Sequence, residues 1–173
     1  MISYDNKIIE FSGCPGCAYA NHEFSLTCGM VYEDENITLS QDWELPIPGF
    51  FVISPSNHAS KISEIDKDVI NKMHELVRET IKILEDNNIC DGFNIISEEK
   101  ANKHYHIWIM PRHKWMIEMF GDIIENIGTV FEYAKNNLRT EEIYENILNI
   151  TNLVKNELKL KYGPINVLGK INE

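Results

Sequence analysis

The stretch from Asn102 to Lys114, NKHYHIWIMPRHK, constrains the fold of this chain more than any other. Tyr105, Ile107, Trp108, Ile109 and Met110 are aromatic or apolar and Pro111 closes the run, so extended structure is favoured over helix. Successive side chains of a strand point to opposite faces. His104, His106, Trp108 and Met110 therefore share one face and Tyr105, Ile107 and Ile109 the other, with the two histidines roughly 7 Å apart at the backbone.

The charges around this strand run against those of the whole chain. The net charge is -11 at pH 7, yet from Lys100 to Ile117 there is no Asp or Glu, while Lys100, Lys103, Arg112 and Lys114 all fall there. An acidic protein thus keeps one local site where an anion is welcome. A lone strand histidine is usually half-buried and hydrogen-bonded. Two on one face, bordered by Lys and Arg, favour a functional reading. The overall acidity excludes broad binding to a nucleic-acid polymer or an anionic membrane, because both require a basic face.

With 173 residues, 43% of them hydrophobic, the chain reads as one domain spanning residues 1–173. No apolar run approaches membrane-spanning length and MISYDNKIIEFSG lacks a signal-peptide apolar region, so a cytoplasmic location is expected. In a reducing compartment the four cysteines argue against a disulfide framework and make Cys-x-x-Cys a metal or redox motif.

Along the chain, Ser12 to Cys17, SGCPGC, reads as a turn-rich loop holding Cys14 and Cys17 at the spacing of a metal knuckle. A thioredoxin-like redox pair is the rival, but that motif opens a helix after a buried strand, and the preceding KIIEF is short. Met30 to Glu33 and Ile37 to Leu39 flank an Asp34-Glu35-Asn36 turn and predict a hairpin. Trp43 to Pro48 is a proline-stiffened connection, unfit for a central strand. Gly49 to Ser54, GFFVIS, predicts a strand covered on both faces that empties into the loop carrying His58.

Ser63 is expected to open a helix, with Asp66 completing an S-x-x-D capping box. Ile65, Val69, Ile70, Met73, Leu76, Val77, Ile81 and Leu84 form its apolar stripe, with His74 beside it as a structural residue, and Asn87-Asn88 ends it. Gly92 to Ser97, GFNIIS, is the next strand, and Ser97 to Lys103 turns back to pair it antiparallel with the histidine strand. Beyond Arg112 two helical stripes follow: Ile123, Ile127, Val130, Phe131 and Ala134, then Ile143, Ile147, Ile150, Val154 and Leu158, ended by Gly163-Pro164. Such helices must bury their stripes on the sheet, on each other or on a second subunit.

Cys14, Cys17, His58 and His104 make a Cys₂His₂ set, enough to close a tetrahedral zinc site of structural type. An open zinc held by His58, His104 and His106 is the competing arrangement; it would make the metal catalytic and leave the cysteines unexplained, so the closed set is preferred. Cys28 and Cys90 lack partners at ligand spacing and read as small core residues.

These residues together resemble the histidine-triad superfamily of nucleotide hydrolases and transferases. Its motif, His-φ-His-φ-His-φφ on a strand, is met by HYHIWIM with His104 and His106 in the first two places and Trp108 in the third. GFFVISPSNH looks like the family's G-x-x-x-φ-x-P-x-x-H segment and GFNIIS like the strand before the motif. The resemblance covers residues 11–113, with residues 114–163 as a helical extension. It implies an α+β fold, an antiparallel sheet of about five strands packed with a helix. The branch most similar in its metal ligands is galactose-1-phosphate uridylyltransferase, in which a Cys-x-x-Cys pair, the post-strand His and the first motif His hold zinc, and Gln replaces the third motif His.

Carried over, the resemblance makes His106 the nucleophile. It would attack the α-phosphorus of a nucleoside phosphate, such as a dinucleoside polyphosphate, phosphoramidate or nucleotide sugar, and form a nucleotidyl-histidine. Asn94, Ser97, Lys103, Trp108 and Arg112 are the implied substrate contacts, with Lys103, Arg112 or His113 standing in for the missing third His. The second expectation is a zinc-stabilised nucleotide-binding module with little turnover. The surplus of helical stripes beyond Phe120, and the dimers common among the relatives, imply a homodimer.

Overall fold

A computed structural model describes residues 1–99 and 103–163. Strands β1 (Met30–Glu33), β2 (Ile37–Gln41), β3 (Phe51–Pro55), β4 (Phe93–Ser97) and β5 (Ile107–Pro111) form one sheet in the order β1-β2-β3-β5-β4. Every neighbouring pair is antiparallel. The expected hairpin closes as β1 and β2: the Asp34 carboxylate accepts from the backbone N–H groups of Asn36 and Ile37, both at 2.9 Å. β4 and β5 pair with Ser97 opposite Ile107 and Phe93 opposite Pro111.

The period-two alternation divides the sheet into two buried faces. Leu39, Phe51, Ile53, Tyr105, Ile107 and Ile109 meet Met73, Leu76, Val77 and Leu84 of α2 (Lys67–Asp86) and Ile150, Val154 and Leu158 of α5 (Glu141–Tyr162). The opposite face contributes Met110 and Trp108, which pack with Phe50, Leu45 and Ile47, with Met116 of α3 (Lys114–Phe120) and with Val130, Phe131 and Ala134 of α4 (Ile127–Asn137). Each fully buried aliphatic side chain contributes about 1.5–3 kcal/mol, so the helices beyond the histidine strand are part of the core on both faces. No helix among the described residues is long and apolar enough to cross a membrane.

Three local expectations are corrected. Ser63 does not open α2: it lies in a 3-10 turn, Ile62–Glu64, and Asp66 is itself the N-cap, accepting from the Asp68 N–H at 2.8 Å. A carboxylate one residue outside the helix satisfies an orphan donor directly, which makes the upstream serine unnecessary. The SGCPGC segment is not wholly a loop, since Pro15–Ala20 forms a short helix, α1, with Cys14 as N-cap. Pro15 at the first helical position has the φ a helix needs and no N–H to leave unpaired. The region after Arg112 holds three described helices rather than two: Gly121, at φ 69°, stops α3, and Ile123 is buried in the connection that follows. Lys100 and Pro164, and with Lys100 the middle of the turn from Ser97 to Lys103, lie outside the described residues.

Candidate functional site

Three elements deliver the metal-ligand set. α1 presents Cys14 and Cys17, the loop after β3 presents His58, and the backbone just before β5 presents His104. The four donor atoms lie within 4.8 Å of one another. The Nδ1 atom of His104 is 3.4 Å from Cys14 Sγ and 3.5 Å from Cys17 Sγ, and His58 Nδ1 is 3.4 Å from Cys17 Sγ. A tetrahedral zinc with ordinary Zn–S and Zn–N bonds has sulfur-to-nitrogen edges of about 3.6 Å, so the donor set fits that ion in type, number and spacing.

The protonation chemistry points the same way. His104 Nε2 donates to the Pro55 carbonyl at 2.7 Å, which leaves the lone pair on Nδ1, facing the sulfurs. Burial lowers the His104 pKa and keeps the ring neutral. Burial, reinforced by Cys14 alongside, pushes the Cys17 thiol up to about 11. The Cys17 thiol thus resists ionisation until a cation stabilises its thiolate.

His106 stands outside this set and turns the other way. Its Nδ1 lies 3.0 Å from the carbonyl oxygen of His104, an acceptor only, so Nδ1 carries the proton and Nε2 the lone pair. The residue lines a cavity of about 590 Å³ together with Cys14, Ser54, Lys103, His104, Trp108 and Phe131. That volume lies within the range of small-molecule sites. Trp108 forms the aromatic wall: its ring centroid is 5.3 Å from that of His106, and it meets Phe50 and Phe131 edge-on at 5.9 and 5.6 Å.

Of the expected substrate contacts, Lys103 and Trp108 line this cavity, whereas Asn94, Ser97 and Arg112 do not. Register explains the difference. Ser97 pairs with Ile107 and so shares the face that α2 covers. Arg112 follows Pro111 at the opposite end of β5, where its N–H donates to the Gly92 carbonyl at 2.8 Å. His113 is beside it, its Nε2 donating to the Pro48 carbonyl at 2.7 Å. Asn94 pairs with Met110, one row of the sheet further from His106 than Trp108, and its amide nitrogen is buried with no hydrogen-bond partner among the described residues. The basic residues around the motif therefore split between the two ends of the strand.

Among the cavity residues that the sequence did not mark as belonging to the site are Asp42, Phe131 and Lys135. Asp42 ends the β2 run, where one acidic residue separates a strand from a proline-rich connection, and that was the signal available. Burial pushes its carboxyl up to about 6, even though Oδ1 accepts from the N–H groups of Leu45 and Glu44 at 2.8 and 3.0 Å. Lys135 is one turn after Phe131 on α4, and its Nζ pairs with Glu44 at 2.8 Å. Nothing local marks either residue, because α4 reaches the cavity only through tertiary packing.

No family model and no curated protein matches the sequence. Solved structures do match. A hypothetical histidine triad nucleotide-binding protein from Sulfolobus tokodaii is similar at 21% identity with a TM-score of 0.61, over 87% of this chain and 97% of that one. A Zn-bound histidine triad family protein from Mycobacterium smegmatis is similar at 17% identity with a TM-score of 0.59, over 86% and 96%. A Hit-like protein involved in cell-cycle regulation from Bartonella henselae follows at 16% and 0.56, over 80% and 91%. The chain has the histidine-triad fold. The matched span in the first two exceeds residues 11–113, so at least part of the helical region belongs to the fold in those relatives as well.

Proposed function

We propose that this protein binds a nucleoside phosphate and hydrolyses it, or transfers its nucleotidyl group, through His106. The observation that carries the reading is the Nδ1–H···O=C bond from His106 to His104, which leaves the Nε2 lone pair unused beside a cavity of nucleotide size. Nε2 attacks the α-phosphorus, the P–N bond forms, and the bond to the leaving group breaks with its electron pair on the departing atom. The positive charge gained by the imidazole is stabilised at Nδ1–H by the His104 carbonyl. Water or another acceptor then displaces the nucleotidyl group and returns the pair to Nε2. Lys103 supplies a positive charge for phosphate oxygens, and Trp108 supplies an apolar wall.

Cys14, Cys17, His58 and His104 would hold zinc in a closed site, where it would supply a structural cross-link between α1, the post-β3 loop and β5. A cytoplasmic, reducing setting keeps both thiols available for that role. We also propose a homodimer. Ile95 on the edge strand β4 and Ile117, Met119 and Ile124 around α3 are exposed and apolar, and they suit a second copy.

One observation favours a second reading, a nucleotide-binding module of low turnover. Trp108 fills the third motif place, and an indole can donate one hydrogen bond but cannot shuttle protons. His106→Asn separates the two. Incubated with dinucleoside polyphosphates, nucleotide phosphoramidates and nucleotide sugars, the intact protein is expected to release mononucleotide, and the variant to lose several orders of magnitude in kcat while retaining metal and stability. An acid-labile nucleotidyl adduct mapped to His106 is the expected intermediate. Wild-type turnover in His106→Asn, or no reaction of the intact protein with any of these substrates, would leave the binding module as the surviving reading.

A further inference from the structure

Six lysines of this acidic chain sit against a carboxylate: Lys7 on Asp5, Lys72 on Glu75, Lys82 on Asp86, Lys114 on Glu118, Lys135 on Glu44 and Lys161 on Glu79. Lys155 and Lys159 do not. They stand one turn apart on α5, no Asp or Glu lies three or four places from either, and neither pairs with a carboxylate among the described residues. Like charges at that spacing repel. Lys159, in the last turn, gains from the negative end of the helix, whereas Lys155 lies a turn further from it.

Both lysines line a cleft of about 410 Å³ between α5 and the segment that leads from α1 into β1, and it shares no lining residue with the cavity beside His106. Lys155 lies close over the chain, since a Cβ built at Gly29 would be 3.8 Å from its Nζ. The cleft is apolar elsewhere. Phe24 and Met30 are half-buried in it, and the Phe24 ring is held by Phe11, Tyr19 and Trp43 at centroid distances of 5.5, 5.3 and 5.4 Å. The one carboxylate among the described lining residues, Glu33, is already engaged, with His22 Nε2 2.8 Å from it. His22 takes a place in which glycine is the usual residue. At φ 58° it follows the C-cap of α1, its N–H donating to the Tyr19 carbonyl at 3.0 Å and the Glu23 N–H to the Ala18 carbonyl at 2.9 Å, the two bonds that close a helix through a left-handed residue. Glu33 so engaged leaves the lysine charges uncompensated.

We propose that this cleft is a second ligand site, for a small phosphate monoester with an aromatic or apolar body. Two ammonium groups one turn apart match the double charge of a phosphate monoester better than the single charge of a carboxylate, and lysine binds phosphate as a point charge. Phe24 and Met30 receive the body. The volume suits a small molecule, and an aromatic wall fixed beforehand lowers the ordering cost of binding. Nothing in the inference depends on the chemistry at His106.

Phenyl phosphate is the probe, titrated into the full chain with zinc present and followed by NMR at the Met30 methyl, the Phe24 ring and the Trp108 indole N–H. The Met30 and Phe24 signals are expected to move together and to saturate with a dissociation constant of about 1 mM or below, whether or not Trp108 moves with a constant of its own. Inorganic phosphate, which leaves the apolar wall empty, and phenol, which leaves the lysines empty, are each expected to bind on the order of tenfold more weakly. The double variant Lys155→Gln, Lys159→Gln should weaken phenyl phosphate by about tenfold or more at Met30 and Phe24, and should keep or raise Tm because it removes a like-charge pair from the helix surface. Met30 and Phe24 unmoved up to about 10 mM phenyl phosphate, movement at Trp108 alone, or full affinity in the folded double variant would overturn the site. Inorganic phosphate or phenol binding as tightly as phenyl phosphate would overturn the ligand class.

Discussion

Asp42→Asn should make this protein more stable at neutral pH, although it removes a charge and leaves every heavy-atom position in place. The Asp42 carboxyl is raised from 3.8 to about 6 chiefly by burial, with Glu44 adding to the rise and the N–H groups of Leu45 and Glu44 and the charge of Lys135 opposing it. Below pH 3.8 the group is protonated in both folded and unfolded chains and costs nothing. Between about 3.8 and 6 the folded chain binds the extra proton, so stability falls as pH rises, and above 6 the whole penalty is present. At about 1.4 kcal/mol per pH unit that penalty has a ceiling of about 3 kcal/mol, and partial solvent access to the side chain reduces it to about 1–1.5 kcal/mol. An amide oxygen still accepts from Leu45 and Glu44. Urea unfolding followed by circular dichroism should therefore show a gain of about 1–1.5 kcal/mol at pH 7, or roughly 3–5 °C in Tm, and no gain at pH 3.5. Comparing variant with wild type at each pH cancels the loss of metal that acid causes in both. Equal or lower stability of the variant at pH 7, or the same gain at both pH values, would refute the argument.

The metal and assembly expectations are checked separately. Gently purified protein should carry one zinc per chain by elemental analysis; Cys14→Ala should lose it and melt at lower temperature, because the binding energy of a structural zinc is folding energy, while His106→Ala should keep it. Loss of zinc from His106→Ala but not from Cys14→Ala would favour the open site on His58, His104 and His106. His104→Asn should lose metal before it loses anything else. Light scattering should return about twice the monomer mass of 20.1 kDa, and a value near 20.1 kDa across micromolar concentrations would count against the dimer.

Much of the fold was legible because the two periods are strong here. Alternation along HYHIWIM separates Ile107 and Ile109 from Trp108 and Met110, and those pairs do fall into different cores. The stripe from Met73 to Leu84 likewise contains the apolar residues that α2 buries, Met73, Leu76, Val77 and Leu84, though not the buried Glu79 and Thr80. What failed was local chemistry with two equivalent solutions. Ser63 and Asp66 are both good N-caps, and only the backbone path into the helix decides between them. Pro15-Gly16 reads equally as a turn or as the first turn of a helix, and in the fold Gly16 lies against His104, a contact across a wide gap in sequence.

The candidate site was legible in proportion to how rare its residue types are. Two cysteines at knuckle spacing and two histidines at strand ends have few other uses, so the donor set could be assembled before any geometry was known, and the donors do converge. Cations are different, because a lysine or arginine near a motif in sequence can be a strand length away in space. Arg112 shows this: β5 runs from Ile107 to Pro111, so Arg112 sits at the far end of the strand from His106. Among the described residues of the window from Lys100 to Ile117, Lys103 precedes β5 while Arg112 and Lys114 follow it, so its cations are not gathered at one site, and the cation that α4 brings to the cavity, Lys135, comes from outside it. Its Nζ is already engaged by Glu44. An anion entering the cavity must therefore draw on Lys103 or displace the Glu44 pair, so the cavity offers little positive charge that is not already engaged.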